Sequence, residues 1–155
     1  MSDAIKNITR NRKAYHDYFV DDELEAGMVL LGSEVKSLRQ GKVNLSDAYA
    51  RFDNNGELYL VNAHISPYEN ATHINHEPER IRKLLMHRRE LRKLSNKANI
   101  AGFTLIPLAL YFKGSTVKCK IGVCRGKKFF DKRETLRKRD AAREISRAHA
   151  KNFRR

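Results

Sequence analysis

The chain has 155 residues, with 32 Lys or Arg against 18 Asp or Glu, and its formal net charge is +14. This length suits one compact domain with an appendage. The positive charge makes nucleic acid the leading class of partner, ahead of an anionic membrane surface. No apolar run approaches the roughly 20 residues of a spanning helix, and no signal segment is visible, so we expect a cytoplasmic protein that does not contact membranes.

The first forty residues predict one helix and two strands. Residues 1–11 are polar and are expected to be loose. The aromatic stretch 12–20 predicts a strand, residues 21–25 an acidic turn, and the apolar run 26–33 a buried strand. Ser33 is a candidate N-cap for a short helix over 34–40, which Gly41 would end.

The middle of the chain predicts a hairpin followed by a helix. Asn55-Gly56 stands between two alternating runs, the strongest short-range hairpin signal. After a polar loop over 66–77, Pro78 begins a predicted amphipathic helix over 79–98. Its basic face would point outward, and its apolar face would hold Ile81, Leu84, Leu85, Leu91, Leu94 and Ala98.

The last predicted strands complete a mainly β fold. Strand 103–112 contains Pro107, which indicates an edge or a bulge. A turn at 113–115 leads to strand 116–124, which places Cys119 and Cys124 on opposite faces and disfavours a disulfide. Because strands and helices do not alternate, we predict a small closed antiparallel barrel of about six strands, OB-like, with outer helices.

Candidate chemistry is sparse. His73 and His76 stand beside Glu77 and Glu79, but this spacing within a loop fits polar residues that contact RNA better than a metal site. The sequence has no nucleophile elbow, no phosphate loop and no paired acids in a context that would raise the pKa of one of them, so it predicts no enzyme activity, no metal and no cofactor. Basic residues interleaved with aromatic ones favour RNA binding over charge that only keeps the domain soluble.

Residues 126–155 form a basic C-terminal tail that follows a predicted domain over 1–125. Twelve Lys or Arg accompany four acidic residues there, with few apolar ones. Such a segment is either an inert solvated tail or one that becomes ordered on a polyanion. Because charge repulsion is strong and little surface can be buried, we predict a tail that is disordered when free and helical once its charges are neutralised.

Several long motifs in order make the sequence resemble the SmpB family, the SsrA-binding proteins of bacterial trans-translation. The motifs are NRKAYHDYF (11–19), EAG (25–27), GSEVKSLRQGKVNL (32–45), NHEPERIRKLLMHRREL (75–91) and GKKFFDKRETLRKR (126–139). The resemblance implies a non-catalytic, OB-like protein that binds the tRNA-like domain of tmRNA and enters ribosomes stalled on truncated mRNA. Rival interpretations are a ribosomal protein, a general RNA chaperone or, less favoured, an RNA-processing enzyme.

The resemblance also implies roles for individual residues. The implied tmRNA contacts are His16, Glu25, Glu34, Lys36, Arg39, Leu85, His87 and Lys118. Leu85 could instead pack in the core, and residues of the 34–42 helix could brace the barrel. The implied ribosome contacts of the tail, in the decoding centre and mRNA channel, are Gly126, Lys127, Lys128, Phe130, Asp131, Lys132 and Arg133. Implied partners are tmRNA, the ribosome and, through alanyl-tmRNA, elongation factor Tu; the chain is expected to be a monomer.

Overall fold

The structure is a computed structural model that describes residues 4–70 and 75–127. Long strands and short helices alternate with tight turns along these residues. In chain order the elements are β1 (Ile5–Arg10), α1 (Arg12–Asp17), β2 (Tyr18–Met28), α2 (Gly32–Arg39), β3 (Val43–Asn44), β4 (Tyr49–Phe52), β5 (Leu58–Val61), β6 (His64–Ile65), β7 (Arg82–Leu85), α3 (Arg88–Ala98), β8 (Phe103–Lys113) and β9 (Thr116–Gly126).

Six of the described strands form a closed ring. Around it run β8, β4, β5, β7, β2 and β9, and β9 pairs again with β8, every pairing being antiparallel. β1 lies outside the ring on the other edge of β8. The predicted mainly β fold with about six antiparallel strands in a closed arrangement is confirmed.

Aliphatic side chains fill the interior of the ring. Alternate residues of each strand point inward, as the period of two requires, and Leu58, Leu60 and Leu84 are almost fully buried there. Leu94 of α3, with no exposed surface, joins the same core. Helix α3 is therefore fixed to the ring by its apolar side, while its basic residues face solvent.

Asn11 explains why the N-terminal predictions were wrong. Its side-chain oxygen accepts a hydrogen bond from the Ala14 amide at 3.1 Å and so caps α1, whereas the aromatic pattern had predicted a strand over 12–20. The expectation of a loose N-terminus is also wrong for Ile5–Arg10, which form β1 along β8.

Pairing with β9 overrides the local signals after α1. The predicted acidic turn over 21–25 lies inside β2, which pairs with β9 from Tyr18 to Gly27 and has a bulge near Asp21. Only the first part of the predicted strand over 26–33 is therefore extended, because β2 ends at Met28. The next helix, α2, begins one residue before Ser33, which is not its cap; the N-cap is Leu31, whose amide donates to Glu34 at 2.8 Å.

The predicted helix over 79–98 is wrong in its first half. Arg82–Leu85 form strand β7, in which Arg82 and Leu84 point inward and are buried. An inward-facing arginine breaks the apolar alternation that identifies a strand in the sequence. The second half of the prediction, Arg88–Ala98, is helix α3.

The turns that depend on glycine are confirmed. Phe52 pairs with Leu58 across the predicted hairpin, in which Gly56 has a φ of 79°. The second hairpin joins β8 to β9, and the irregularity predicted at Pro107 lies between Pro107 and Ala109. Cys119 and Cys124 are free and buried, and burial raises the pKa of the Cys124 thiol to about 12.

Two further sequence predictions concern the C-terminal tail and contact with a membrane. Most of the tail, residues 128–155, lies outside the described residues, so the division into a domain over 1–125 and a tail stays a prediction. Within the described ranges, no helix is both long and apolar enough to cross a membrane.

Candidate RNA interface

An open groove of about 800 Å³ lies on the outer face of the sheet, where β7, β2 and β9 run side by side and α3 begins. We call it the Gly27 groove. It brings together four of the predicted RNA contacts, which are distant in the sequence. The residues that line it are Glu23, Leu24, Glu25, Gly27, Met28, Leu85, Met86, His87, Arg89, Glu90, Lys93, Thr116 and Lys118.

Strand register places Gly27 at the floor of the groove. Gly27 pairs with Leu85 on β7 and with Lys118 on β9, so it lies between these two side chains. A Cβ built at Gly27 would meet the Leu85 Cβ at 3.5 Å and the Lys118 Nζ at 3.8 Å, both ordinary contacts. The missing side chain leaves a depression between an apolar wall and a cation.

Glu25 supplies a negative charge beside this depression. Its carboxylate accepts hydrogen bonds from the Tyr111 hydroxyl and, at 3.5 Å, from Lys113. The Tyr111 hydrogen bond, helped by the charges of Lys113 and Lys118, holds the pKa of Glu25 below its ordinary value although burial opposes this. Glu25 is therefore ionised at neutral pH, and a carboxylate can accept more hydrogen bonds than these two.

The β7 side of the groove is apolar and leads to a basic helix. Leu85 is 50 % exposed and lies on the groove surface. It therefore does not pack in the core, which was the alternative to an RNA contact. His87 is the N-cap residue of α3 and is exposed. Arg89 and Lys93, one helical turn apart, are exposed along the same side of α3.

This combination suits an RNA ligand. Lysine and arginine neutralise phosphates, a carboxylate accepts from base or 2′-hydroxyl donors, and an exposed leucine packs on a ribose or base face. Among the described residues no group of three His, Cys, Asp or Glu side chains could hold a metal ion.

His16 does not belong to the Gly27 groove. It lies on α1, with its side chain 88 % exposed and its Nδ1 at 2.9 Å from Asp17. Helix α1 leads into the opposite end of β2, and at about 3.3 Å per residue the start of that strand is roughly 23 Å from Glu25. A contact by His16 would therefore require a separate part of the RNA.

Glu34 was predicted to contact RNA, but its side chain has no exposed surface and cannot reach a ligand in this fold. Its carboxylate accepts from Arg80 at 2.5 Å, and also from Arg82, which is itself fully buried. Burial alone would raise the pKa of Glu34, but hydrogen bonds from Arg80, the Leu31 amide and Arg82 hold it below its ordinary value. Glu34 braces α2 against β7.

The other predicted contacts on α2, Lys36 and Arg39, lie on the surface but outside the groove. Arg39 is exposed, and the Lys36 Nζ lies 5.4 Å from the centre of the Tyr68 ring. His76, predicted to be a loop residue that contacts RNA, is instead 5 % exposed. Its ring bridges Ser33 Oγ and the Ile65 carbonyl, each at 2.8 Å. The position of His73 lies outside the described residues.

Two of the predicted tail residues are described. Gly126 ends β9 and pairs with Tyr18. The Lys127 Nζ donates to the Tyr15 carbonyl at 3.2 Å and lies 5.4 Å from the centre of the Phe19 ring. The other predicted contacts, Lys128, Phe130, Asp131, Lys132 and Arg133, lie outside the described residues.

Comparison with known proteins agrees with this geometry. Residues 8–151 match the family model described as SmpB protein. The chain belongs to the SmpB family. An SsrA-binding protein from Carboxydothermus hydrogenoformans is 57 % identical over 143 residues, which cover 92 % of this chain and 95 % of the relative. One from Syntrophotalea carbinolica is 58 % identical over 145 residues, covering 94 % and 96 %.

A solved SmpB-family structure has the same architecture. The chain comes from a study of tmRNA-SmpB described as a journey to the centre of the bacterial ribosome, and it is 48 % identical with a TM-score of 0.66. The match covers 77 % of this chain and 83 % of that one. Both the fold and the family are therefore shared with a protein studied together with tmRNA and the ribosome.

The sequence motifs missed part of the groove. Gly27 stands within the EAG motif that indicated the SmpB family, but its place between Leu85 and Lys118 depends on the pairing of three strands. Arg89 was one of the basic residues that favoured RNA binding in general, and Lys93 was predicted only on the basic face of a helix. The detectable signal was their spacing of four residues on a face rich in arginine and lysine.

Proposed function

We propose that this SmpB-family chain binds the tRNA-like domain of tmRNA and brings it to ribosomes stalled on truncated mRNA. The observation that carries the proposal is the Gly27 groove, in which Glu25, Leu85, His87 and Lys118 meet from three strands and the start of a helix. The family relatives are named SsrA-binding proteins, and the solved structure concerns tmRNA-SmpB at the bacterial ribosome. The role is one of binding and requires no chemical step by this chain.

The groove residues divide the work of recognition. Lys118 contacts a phosphate, Glu25 accepts hydrogen bonds from a base or ribose, and Leu85 packs against the sugar or base. His16, Lys36 and Arg39 are exposed and contact parts of the RNA outside the groove. The tail from Gly126 enters the mRNA channel, and its Lys127, Lys128, Phe130, Asp131, Lys132 and Arg133 contact the decoding centre.

The proposal extends to the cellular setting. The protein acts in the cytoplasm as a monomer, and elongation factor Tu joins the complex through the alanylated end of the RNA. Sequencing the RNA that copurifies with the chain separates this function from that of a ribosomal protein. tmRNA should be enriched far above ribosomal RNA in high salt.

Replacing Lys118 with alanine tests the groove directly. We expect weaker binding to the tRNA-like domain and a plot of log affinity against log salt that is shallower by about one phosphate contact. Filter binding at several salt concentrations measures both. Lys6→Ala is the matched control, since Lys6 is an exposed lysine on β1, which lies outside the ring. An unchanged salt slope for Lys118→Ala would remove this residue from the interface.

A further inference from the structure

A second row of side chains on the outer face of the ring consists of Arg51, Tyr59 and Lys83. Tyr59 on β5 pairs in register with Arg51 on β4 and with Lys83 on β7. Directly paired residues of neighbouring antiparallel strands point to the same face. We call these three residues the Tyr59 row, in which an aromatic ring lies between two cations.

Burial of the flanking residues shows that this face is the outer one. Leu58 and Leu60, on either side of Tyr59, have no exposed surface, and Arg82 and Leu84 beside Lys83 are also buried. Ala50, next to Arg51, is buried as well, whereas Arg51 itself is exposed. The period of two along each strand therefore directs Arg51, Tyr59 and Lys83 away from the core.

The Tyr59 row adjoins the Gly27 groove. Lys83 and Leu85 are two residues apart on β7 and point to the same face, a separation of roughly 7 Å. The row Arg51–Tyr59–Lys83 crosses β4, β5 and β7, and the row Leu85–Gly27–Lys118 continues from β7 across β2 and β9, so the two rows meet on β7. An RNA strand that occupies the groove can therefore continue onto the Tyr59 row across β7, where Lys83 and Leu85 are neighbours on the outer face.

The charges of the row suit a polyanion. Among the described residues, Arg51 has no ion pair, and the Tyr59 hydroxyl has no hydrogen-bond partner. The Lys83 Nζ lies 3.5 Å from Glu57, with both side chains about two-fifths exposed. Exposed pairs of this kind contribute little to stability, so a phosphate can replace Glu57 at small cost.

We propose that the Tyr59 row is an extension of the RNA site, in which an unpaired nucleotide of the RNA bound in the Gly27 groove stacks on Tyr59. Arg51 and Lys83 neutralise the phosphates on either side of that nucleotide. Aromatic rings flanked by cations on a sheet face are a common means of holding single-stranded nucleotides. This inference rests on the proposed function, since it assigns the row to the same RNA.

The test compares full-length variants in binding to the tRNA-like domain of tmRNA. Tyr59→Ser should weaken binding about fivefold or more because it removes the stacking ring, while Tyr59→Phe keeps the ring and should stay within about twofold of the parent. Arg51→Gln and Lys83→Gln should each make the salt slope shallower by roughly 0.7 to 0.9. Lys6→Gln, which removes one exposed charge on β1, should leave the slope unchanged.

The outcomes separate the extension from the groove. Weaker binding by Lys118→Ala with full binding by Tyr59→Ser would overturn the extension and leave the groove in place. Full binding by both variants would overturn the proposed function itself. Loss of ribosome binding without loss of tRNA-like-domain binding would assign the row to ribosomal RNA and would also overturn the extension. If Tyr59→Ser melts at a lower temperature, unchanged salt slopes in Arg51→Gln and Lys83→Gln overturn it independently.

Discussion

The Glu34 carboxylate is fully buried and accepts from two arginines, Arg80 just before β7 and Arg82 at its first position. Arg82 is equally buried, and it also donates to the Ala63 carbonyl at 2.6 Å and the Pro78 carbonyl at 3.0 Å. A buried charge is tolerated only where its partner and its hydrogen bonds are in place. The pair therefore fixes α2, β7 and the loop before β7 in one arrangement, and the groove wall at Leu85 depends on it.

Replacing Glu34 with glutamine should destabilise the fold strongly. Because Arg82 would keep its charge without a buried counter-charge, we expect the free energy of unfolding to fall by about 3–5 kcal/mol. Urea denaturation measures the change. Lys36→Gln, on the exposed side of the same helix, is the control and should stay within about 0.5 kcal/mol of the parent.

The same substitution predicts a dependence on pH. The folded pKa of Glu34 lies below its ordinary value, so its ionised form stabilises the fold above the unfolded pKa, and this contribution is lost as pH falls through the folded pKa. The difference in stability between parent and Glu34→Gln should therefore be full near neutral pH and shrink below roughly pH 4. A difference that does not change between pH 7 and the acid limit would contradict this assignment.

Helix α3 shows how an element can be fixed by a few apolar residues. Most residues of α3 are basic or polar, and Leu94 is the residue of this helix that is fully buried. Leu94→Ala should lower the free energy of unfolding by about 2–5 kcal/mol because the cavity at the end of the ring cannot collapse fully. Ile100→Ala, just after the helix and 54 % exposed, is the control, and a similar loss in both variants would show that Leu94 is not specially packed.

The elements that the sequence predicted correctly depend on short-range chemistry. The two hairpins contain Gly56 and Gly114 at positive φ, and the irregularity of β8 follows Pro107, so each signal lies inside the element that it specifies. β7 differs because the inward position of Arg82 depends on Glu34, which is 48 residues away. β1 likewise requires the edge of β8 to pair with, and no local pattern indicates it.

The resemblance to a known family predicted part of the candidate site. The motifs contained Glu25, Leu85 and His87, and the resemblance added Lys118 from outside them; the structure brings these four into one groove. The motifs also contained Glu34, whose burial the sequence alone does not indicate. The Tyr59 row could not be predicted, since it requires the register of β5 with both β4 and β7. Sheet register is a property of three strands together, and a single strand carries little information about it.

The positive charge of the whole molecule lies in two parts, for which we propose different partners. The groove and the Tyr59 row lie within the described ring, and both contain apolar or aromatic surface beside the cations. Residues 131–155 contain ten Lys or Arg and four acidic residues, so they hold +6 of the formal +14. Because few apolar residues accompany the charges of this tail, we expect them to contribute mainly a sequence-independent attraction to RNA, which salt screens.

Ending the chain after Phe130 should separate the two functions of the molecule. Specific affinity for the tRNA-like domain should remain within about threefold at physiological salt, because the groove and the Tyr59 row are intact, while nonspecific RNA binding at low salt should fall. Peptidyl transfer to alanyl-tmRNA on stalled ribosomes should be lost, since the proposed contacts from Asp131 onward are removed. Filter binding and a transfer assay on ribosomes with truncated mRNA measure the two effects in parallel. If the truncated chain instead lost its specific affinity for the tRNA-like domain, the tail would have to contribute to recognition of tmRNA itself, and the ring would not be a sufficient binding site.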